Sequence, residues 1–296
     1  MDYLEKYGFS LSAGEISERV SGIIAAAPQK ASVEAYMKCF SLMDLTTLKS
    51  NDTMVTVGNL VEKVNRLRSE YPRYPLPASI CVYPNFAGVV SSSRCCPELH
   101  TTCVAACFPT SQSFLEVKVK ECEMAVEAGA DEIDIVLALN SFLAGDYGRA
   151  ATEICQIRKA LDEAGKRVGR KVILKVILET GLLVSVENIA QASFLAMESG
   201  ADFIKTSTGK VEINATPQAA YIMCECIRMY YERSGRKVGF KAAGGISNAQ
   251  EALAYYCIGA AVLGEEWIDK DTFRFGVSRL GNSLMSEIEQ KTVTFF

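Results

Sequence analysis

The sequence predicts an α/β protein, a single-domain (β/α)8 barrel with an extra helical segment at its N-terminus. Short apolar runs alternate with amphipathic stretches along almost all of the 296 residues. The runs are rich in Val and Ile without strict alternation, which is typical of parallel strands buried on both faces. Eight such runs fit an α/β barrel, which fills about 250 residues. A doubly wound open sheet is the alternative.

The first element is a helix in the N-terminal extension. Ser12 and Glu15 have the spacing of a capping box, and Pro28 is the predicted stop. We expect residues 1–33 to form a helical extension packed on the barrel, and residues 34–296 to form the barrel itself. No proline-rich linker or low-complexity segment indicates a second domain.

The strand and helix candidates then alternate to the end of the chain. Thr216-Pro217 has the pattern of an N-cap followed by proline at the first helical position. Ser247 and Gln250 have the spacing of another capping box. In order, the strand candidates are residues 39–45, 78–84, 101–108, 131–139, 171–179, 202–207, 237–243 and 259–264.

One junction occurs twice. "EAGADEIDIV" (127–136) and "ESGADFIKTS" (198–207) both describe a helix that ends at glycine and enters a strand through Ala-Asp. Aligning them places Asp134 opposite Lys205. In a barrel these would be strands four and six, and alternate strands contribute side chains to the same interior layer. We therefore expect a carboxylate and an amine to face each other inside the barrel.

Composition excludes several classes of function. The net charge of −4 gives no general reason to expect nucleic acid, and no apolar run approaches the roughly 18 residues of a membrane span. Eleven cysteines, an odd number, are better explained as reduced thiols, so we expect a soluble, cytoplasmic protein. The single histidine, His100, argues against a multi-histidine metal site and against Ser-His-Asp catalysis, and it is more simply a satisfied polar residue.

Four ionisable residues lie in strands that are otherwise apolar: Asp134, Lys175, Lys205 and Lys241. One interpretation is an internal ion-pair network that only fixes register. The other is chemical. A free lysine has a pKa of about 10.4, and burial with a like-charged neighbour lowers it toward about 7, where the neutral amine forms Schiff bases. Lys205 and Lys241, on consecutive strands, fit this arrangement, and Asp134 is suited to proton transfer.

Three stretches of glycine and hydroxyl residues follow the predicted strands six, seven and eight. They are "TSTGK" (206–210), "AAGGIS" (242–247) and "RFGVSR" (274–279). Loops at this end of a barrel commonly bind phosphate through backbone N–H groups, and Lys210 would add a positive charge. Taken singly, each stretch is also compatible with an ordinary turn.

These residues resemble a known family, deoxyribose-phosphate aldolase. The resemblance runs from about residue 36 to about residue 285 and depends on "MDLTTL" (43–48), "CVYP" (81–84), "GADEIDIV" (129–136), "DFIKTSTGK" (202–210), "NATP" (214–217) and "GFKAAGGIS" (239–247). It implies a (β/α)8 barrel and a class I mechanism with no metal and no cofactor. The implied partners are a small sugar phosphate and acetaldehyde, with neither nucleic acid nor membrane. Members are often dimers, so a homodimer is one assembly the resemblance allows.

Carried over by position, the resemblance makes Lys205 the Schiff-base lysine and Asp134 with Lys241 the proton-transfer pair. Asp44 and Cys81 match wall positions of the active site, and Lys175 matches a further lysine near it. The sequence departs from the family at Ala242, Ser247 and Arg279, which suggests that an arginine has moved from one phosphate loop to another. The implied phosphate contacts are Lys210, Gly244, Gly245, Gly276 and Ser278.

The function that the resemblance implies is reversible cleavage of 2-deoxy-D-ribose 5-phosphate to acetaldehyde and D-glyceraldehyde 3-phosphate, in deoxyribonucleotide catabolism. Three alternatives stay open at this point. One is another lysine aldolase or transaldolase, and one is a non-catalytic sugar-phosphate-binding barrel. The third is a pyridoxal-phosphate enzyme, which cofactor absorbance would reveal.

Overall fold

Eight parallel strands close into a barrel in the computed structural model, which describes residues 2–296. Each strand pairs with its neighbours in sequence, and β8 pairs with β1, so the predicted (β/α)8 class is confirmed and an open sheet is excluded. The strands are β1 (Met43–Thr46), β2 (Ser79–Val82), β3 (His100–Val104), β4 (Glu132–Val136), β5 (Ile173–Ile177), β6 (Phe203–Lys205), β7 (Gly239–Ala243) and β8 (Phe273–Val277).

Helices surround the barrel and supply its outer layer. Within residues 2–296, no helix combines the length and the apolar character needed to cross a membrane. The helices are α1 (Tyr3–Tyr7), α2 (Ala13–Ala26), α3 (Val33–Ser41), α4 (Met54–Glu70), α5 (Ala87–Ser93), α6 (Leu115–Glu127), α7 (Leu139–Leu143), α8 (Tyr147–Val168), α9 (Thr180–Leu183), α10 (Val186–Glu198), α11 (Pro217–Ser234), α12 (Ala249–Leu263) and α13 (Leu280–Glu289).

The N-terminal helices lie against the outer helices of the barrel. The capping box predicted at the start of α2 is confirmed, since Ser12 accepts from the Glu15 backbone and Glu15 accepts from that of Ser12. Helix α1 contacts α10, and α2 contacts α11 and α12. The Tyr7 ring stacks on Phe194 with a centroid separation of 4.2 Å. The division of the chain between residues 33 and 34 stays a prediction.

The strand predicted at residues 259–264 is wrong. Residues 259–263 of that segment lie within α12, Gly264 is the C-cap of that helix, and β8 is Phe273–Val277. The sequence of α12 resembles that of a buried strand because α2, α3, α11 and α13 all pack against this helix, which leaves it little polar surface. Strand β8 was not recognised because it contains Arg274 and Gly276, and arginine and glycine are uncommon in buried strands. As a consequence, "RFGVSR" begins inside β8 and not in the loop after it.

Two smaller boundaries also differ. The predicted first strand begins too early, because Cys39 and Phe40 form the buried face at the end of α3. The capping box predicted at Ser247 and Gln250 lies one residue later, at Asn248 and Glu251. The Thr216-Pro217 cap and the helix-to-strand junctions before β4 and β6 are as predicted.

The side chains of β4 alternate between two environments. Ile133 and Ile135 are buried in the apolar layer between strands and helices. Glu132 and Asp134 occupy the alternate positions and are also fully buried, so both carboxylates lie inside the barrel. The barrel interior is therefore the polar part of the core, and the candidate site begins there.

Candidate active site

Lys205, Asp134 and Lys241 meet inside the barrel. Each is at most 3% exposed. The Nζ atoms of Lys205 and Lys241 both donate to Oδ2 of Asp134 at 2.8 Å. Lys205 and Lys241 lie side by side because they are register partners on β6 and β7. The carboxylate–amine pair expected from the repeated junction is therefore present, and a second amine shares the same oxygen.

The electrostatic environment separates these two lysines. Burial is the largest influence on Lys205 and lowers its pKa; Asp134 opposes this effect and the ammonium of Lys241 adds to it, leaving the pKa below its ordinary value. Burial acts on Lys241 in the same sense, but Asp134 and Asp44 together raise its pKa. Lys205 is thus the amine that loses its proton more easily.

Asp134 is held as a carboxylate. Burial alone would raise its pKa, but Lys175, Lys205 and Lys241 outweigh burial and hold the pKa well below the usual range. Lys175 donates to the second oxygen, Oδ1, at 3.0 Å. Both oxygens are consequently engaged by ammonium groups, in the charge-assisted hydrogen bonds that are the strong class in proteins.

Two further charged residues in this cluster were missed by the sequence analysis. Glu132 bonds to Lys175 and lies 2.9 Å from Arg274 Nη2, and both residues are fully buried. Glu132 could have been found, because it precedes Asp134 by two positions and must share its strand face. Arg274 could not, because its strand was not recognised.

Asp44, Cys81 and Lys175 are placed differently from one another. Asp44 lies in the barrel interior, with Oδ1 and Oδ2 each 2.5 Å from a cation, Arg274 and Lys241 respectively. Lys175 is buried between Glu132 and Asp134. Cys81 packs with Leu48 in a small apolar cluster, and burial raises the pKa of its thiol. Asp44 is thus part of the charged cluster, whereas Cys81 packs on a residue that lines the cavity described next.

A cavity of about 280 Å³ opens above Lys205. It is formed by the last residues of β1, β6, β7 and β8 and the segments that follow them, at the carboxyl end of the strands, where barrel active sites lie. Asp134, Lys241, Asp44, Cys81 and Lys175 do not line it. The lining residues are Thr46, Thr47, Leu48, Lys49, Lys205, Thr208, Gly209, Lys210, Ala243, Gly244, Gly245, Ile246, Ser247, Gly276, Val277, Ser278 and Arg279.

The loops around the cavity are held in place by specific contacts. Glu179 accepts from the backbone N–H and the hydroxyl of Thr208, at 3.1 and 2.6 Å. Lys210 Nζ reaches across to donate to the Leu48 carbonyl at 2.6 Å. Gly244 has a left-handed φ of 85°, and a Cβ there would lie 2.7 Å from the Asn214 side chain. These contacts bring loops from β1, β6 and β7 around one volume.

Gly276 is required for packing inside the barrel. A Cβ at this position would lie 2.8 Å from Ala243 Cβ and 3.1 Å from Lys241 Cε. The missing side chain therefore leaves room for Lys241 to reach Asp134. In residues 2–296, no three His, Cys, Asp or Glu side chains are grouped so that they could hold a metal ion.

The buried carboxylates should make the protein sensitive to acid. The pKa values of Asp44, Glu132 and Asp134 are all lowered because nearby cations outweigh burial. Their contribution to stability is thus complete above the unfolded value of about 4 and is lost as the pH falls below it. We expect the free energy of unfolding to drop by several kcal/mol between pH 6 and pH 3, measured by urea denaturation.

Glu132→Gln is the control for that experiment. It removes one of the three titrating carboxylates, so the variant should be less stable at pH 6 and lose less on acidification. An acid-induced loss equal to that of the natural chain would contradict the assignment.

Comparison with known proteins gives a consistent result. Residues 39–278 match the model of the DeoC/LacD family aldolases. Deoxyribose-phosphate aldolase of Mus musculus is 37% identical over 275 residues, with 86% of this chain and 80% of the mouse chain covered. That of Homo sapiens is 36% identical over 267 residues, with the same shares. The tetrameric deoxyribose phosphate aldolase structure from Aeropyrum pernix matches this structure with a TM-score of 0.67 and a sequence identity of 24%. The match covers 89% of this chain and 96% of the Aeropyrum pernix chain, and it supports the fold alone.

Proposed function

The chain belongs to the DeoC/LacD aldolase family, and from this premise we propose that it is a class I aldolase acting on 2-deoxy-D-ribose 5-phosphate. The reaction is reversible cleavage to acetaldehyde and D-glyceraldehyde 3-phosphate, in deoxyribonucleotide catabolism. The resemblance predicted from the sequence is confirmed at the level of the family. The mouse and human relatives carry the name of this activity and share more than a third of their aligned residues with the chain.

One observation carries the proposal. Among residues 2–296, four cations lie in the barrel interior: Lys175, Lys205, Lys241 and Arg274. Lys205 is the one whose pKa is lowered, and it is also the one that lines the cavity. A buried amine that loses its proton readily and faces an open volume is what Schiff-base chemistry requires.

In the cleavage direction, neutral Lys205 attacks C1 of the open-chain sugar phosphate. The carbinolamine loses water to give an iminium, which withdraws electrons from the C2–C3 bond. Because this iminium is the electron sink, the mechanism needs no metal or other cofactor. Cys81 and the apolar contacts around Leu48 form part of the wall beside the reacting carbons in this proposal.

Asp134 and Lys241 are the proposed proton-transfer pair. Asp134 accepts hydrogen bonds from the Lys205 amine and from Lys241, each at 2.8 Å. A water molecule can extend the reach of this pair to the substrate. The C3 hydroxyl loses its proton to this relay as the C2–C3 bond breaks. Glyceraldehyde 3-phosphate leaves, and the enamine on Lys205 is protonated at C2 and hydrolysed to acetaldehyde.

The phosphate is proposed to bind at the far side of the cavity. Gly244, Gly245 and Ser278 line that side, and α13 begins two residues after Ser278 with no side chain capping its first turn. Uncapped N–H groups at a helix N-terminus favour an anion. Lys210 and Arg279 add positive charge from the loops after β6 and β8, and Ser247 lines the same volume.

Assaying two classes of substrate tests the proposal. We expect cleavage of 2-deoxy-D-ribose 5-phosphate, followed by coupled detection of glyceraldehyde 3-phosphate, to be at least about 100-fold more efficient in kcat/KM than cleavage of a keto-hexose phosphate. Preferred cleavage of the keto-sugar phosphate would instead identify another lysine aldolase. No turnover of either would leave a non-catalytic binding barrel.

Lys210→Met tests the phosphate site. Removing this charge should raise KM for 2-deoxy-D-ribose 5-phosphate by about tenfold, since one charge-assisted hydrogen bond contributes about 1.5 kcal/mol. The kcat/KM for unphosphorylated 2-deoxy-D-ribose should be unchanged. Lys120→Met, at an exposed lysine on α6, is the matched control. An equal effect on both substrates would remove Lys210 from the phosphate site.

The assembly and the location remain predictions. A homodimer and a cytoplasmic location are both compatible with the proposed function, and sedimentation of the purified chain tests the first of them.

A further inference from the structure

Six charged side chains form a closed ring inside the barrel, with the sign of the charge alternating at every step. All six are fully buried. They come from strands β1, β4, β5, β7 and β8, so the ring spans the barrel interior. The order is Asp134, Lys175 (3.0 Å), Glu132, Arg274 (2.9 Å), Asp44 (2.5 Å), Lys241 (2.5 Å) and back to Asp134 (2.8 Å).

The ring is electrically balanced without Lys205. It contains three carboxylates and three cations, which sum to zero charge. Lys205 is attached to the ring at Asp134 Oδ2, which it shares with Lys241. Protonated Lys205 is therefore the surplus cation of a buried cluster, and an uncompensated buried charge is the one that burial most readily neutralises.

The pKa directions agree with this geometry. Burial acts to lower the pKa of each ring cation, Lys175, Lys241 and Arg274, but the carboxylates on both sides outweigh it and raise that pKa above its ordinary value. Lys205 has one carboxylate, which it shares, and its pKa is lowered. The other ionisable groups that face Lys205 are Lys241 from β7 and Cys81 from β2.

Glu132 and Arg274 have a particular place in this ring. Neither forms a hydrogen bond or ion pair with Lys205. Together they link Lys175 to Asp44 on the side away from the cavity, where Lys175 Nζ also lies 3.8 Å from Asp44 Oδ2. Glu132 also accepts from Thr102 at 2.8 Å and lies 2.7 Å from His100 Nδ1, both on β3. Arg274 bonds to the Lys270 carbonyl as well.

We propose that Glu132 and Arg274 are positioning residues that keep the ring neutral, so that Lys205 remains the one cation without compensation. This inference rests on the proposed function, in which Lys205 is the nucleophile. If Glu132 and Arg274 only held the strands in place, removing either charge would lower stability and leave the titration of Lys205, which neither residue contacts, unchanged. The two interpretations therefore differ in what happens when one charge is removed.

Single substitutions should move the titration of Lys205 in opposite directions. Arg274→Met leaves the ring one negative charge in excess, which stabilises the ammonium form of Lys205. Glu132→Gln leaves one positive charge in excess, which destabilises it. We expect the midpoint of the pH profile for trapping Lys205 with acetaldehyde and cyanoborohydride to move by about one pH unit or more, upward in Arg274→Met and downward in Glu132→Gln. At a pH well below the midpoint, one unit is about a tenfold change in rate.

Two further variants separate charge from packing. The double variant, Glu132→Gln with Arg274→Met, restores neutrality and should return the midpoint to near that of the natural chain. Arg274→Lys keeps the charge and should do the same. If Arg274→Met does not fold, Lys175→Met removes a cation from the same ring and must move the midpoint upward.

The results distinguish this inference from the function it rests on. Opposite shifts that cancel in the double variant would support the ring. Midpoints that stay fixed, or that move in the same direction in both single variants, would overturn it while leaving the nucleophile assigned. Failure to trap Lys205 in the natural chain would instead overturn the proposed function.

Discussion

Lys205→Ala is expected to lower kcat for cleavage of 2-deoxy-D-ribose 5-phosphate by about 10⁴-fold or more. The substitution removes the nucleophile, so no iminium can form and the C2–C3 bond has no electron sink. The fold should survive, because alanine in place of an uncompensated buried cation removes a charge whose burial is unfavourable. Turnover is measured with the coupled aldehyde assay, and the fold by circular dichroism and urea denaturation.

Lys118→Ala is the matched control for that variant. Lys118 is also a buried lysine, 1% exposed, but it lies on α6 and pairs with Glu153 at 2.6 Å. Its removal should reduce stability and leave kcat within about twofold of the natural chain. An active Lys205→Ala protein would place the nucleophile elsewhere.

Asp134→Asn is expected to lower kcat by about 10²- to 10⁴-fold, the range that a positioned proton-transfer group contributes. The trapping of Lys205 should nevertheless persist. Because the carboxylate stabilises the ammonium form, its removal lowers the pKa of the amine further and leaves more of it neutral. Loss of cleavage with retention of trapping is thus the pattern that assigns Asp134 to proton transfer.

Asp131→Asn is the control, because Asp131 lies directly before β4, the strand that contains Asp134. Asp131 precedes Asp134 by three residues but pairs with Arg94 and accepts from the Thr101 backbone, outside the barrel interior. Its effect should fall on stability. Equal losses of activity in the two variants would show that Asp134 acts only through the fold.

The site residues that the sequence predicts are those whose own segment of the chain contains an unusual feature. Lys205 and Lys241 are charges in short apolar strands, and burying such charges has a cost that requires an explanation. The repeated Gly-Ala-Asp junction relates β4 to β6, and this relation alone places Asp134 opposite Lys205. Their contact at 2.8 Å follows from the barrel closing as predicted.

The parts that were missed depend on partners distant in sequence. Arg274 can be buried in β8 only because Asp44 and Glu132 neutralise it, and those residues are 230 and 142 positions away. Without that knowledge "FRFGV" does not resemble a strand, whereas the apolar end of α12 does. The balanced ring is a property of the closed barrel, and no single segment contains it.

The most direct test of Lys205 as the nucleophile is the site of covalent modification. The purified chain is incubated with acetaldehyde, reduced with borohydride, digested and mapped by mass spectrometry. The proposed Schiff-base mechanism predicts one reductively added ethyl group, on Lys205, in the natural chain, and its absence in Lys205→Ala. An ethyl group on Lys175, Lys210 or Lys241 in preference to Lys205, or an active protein that takes up no label, would contradict it.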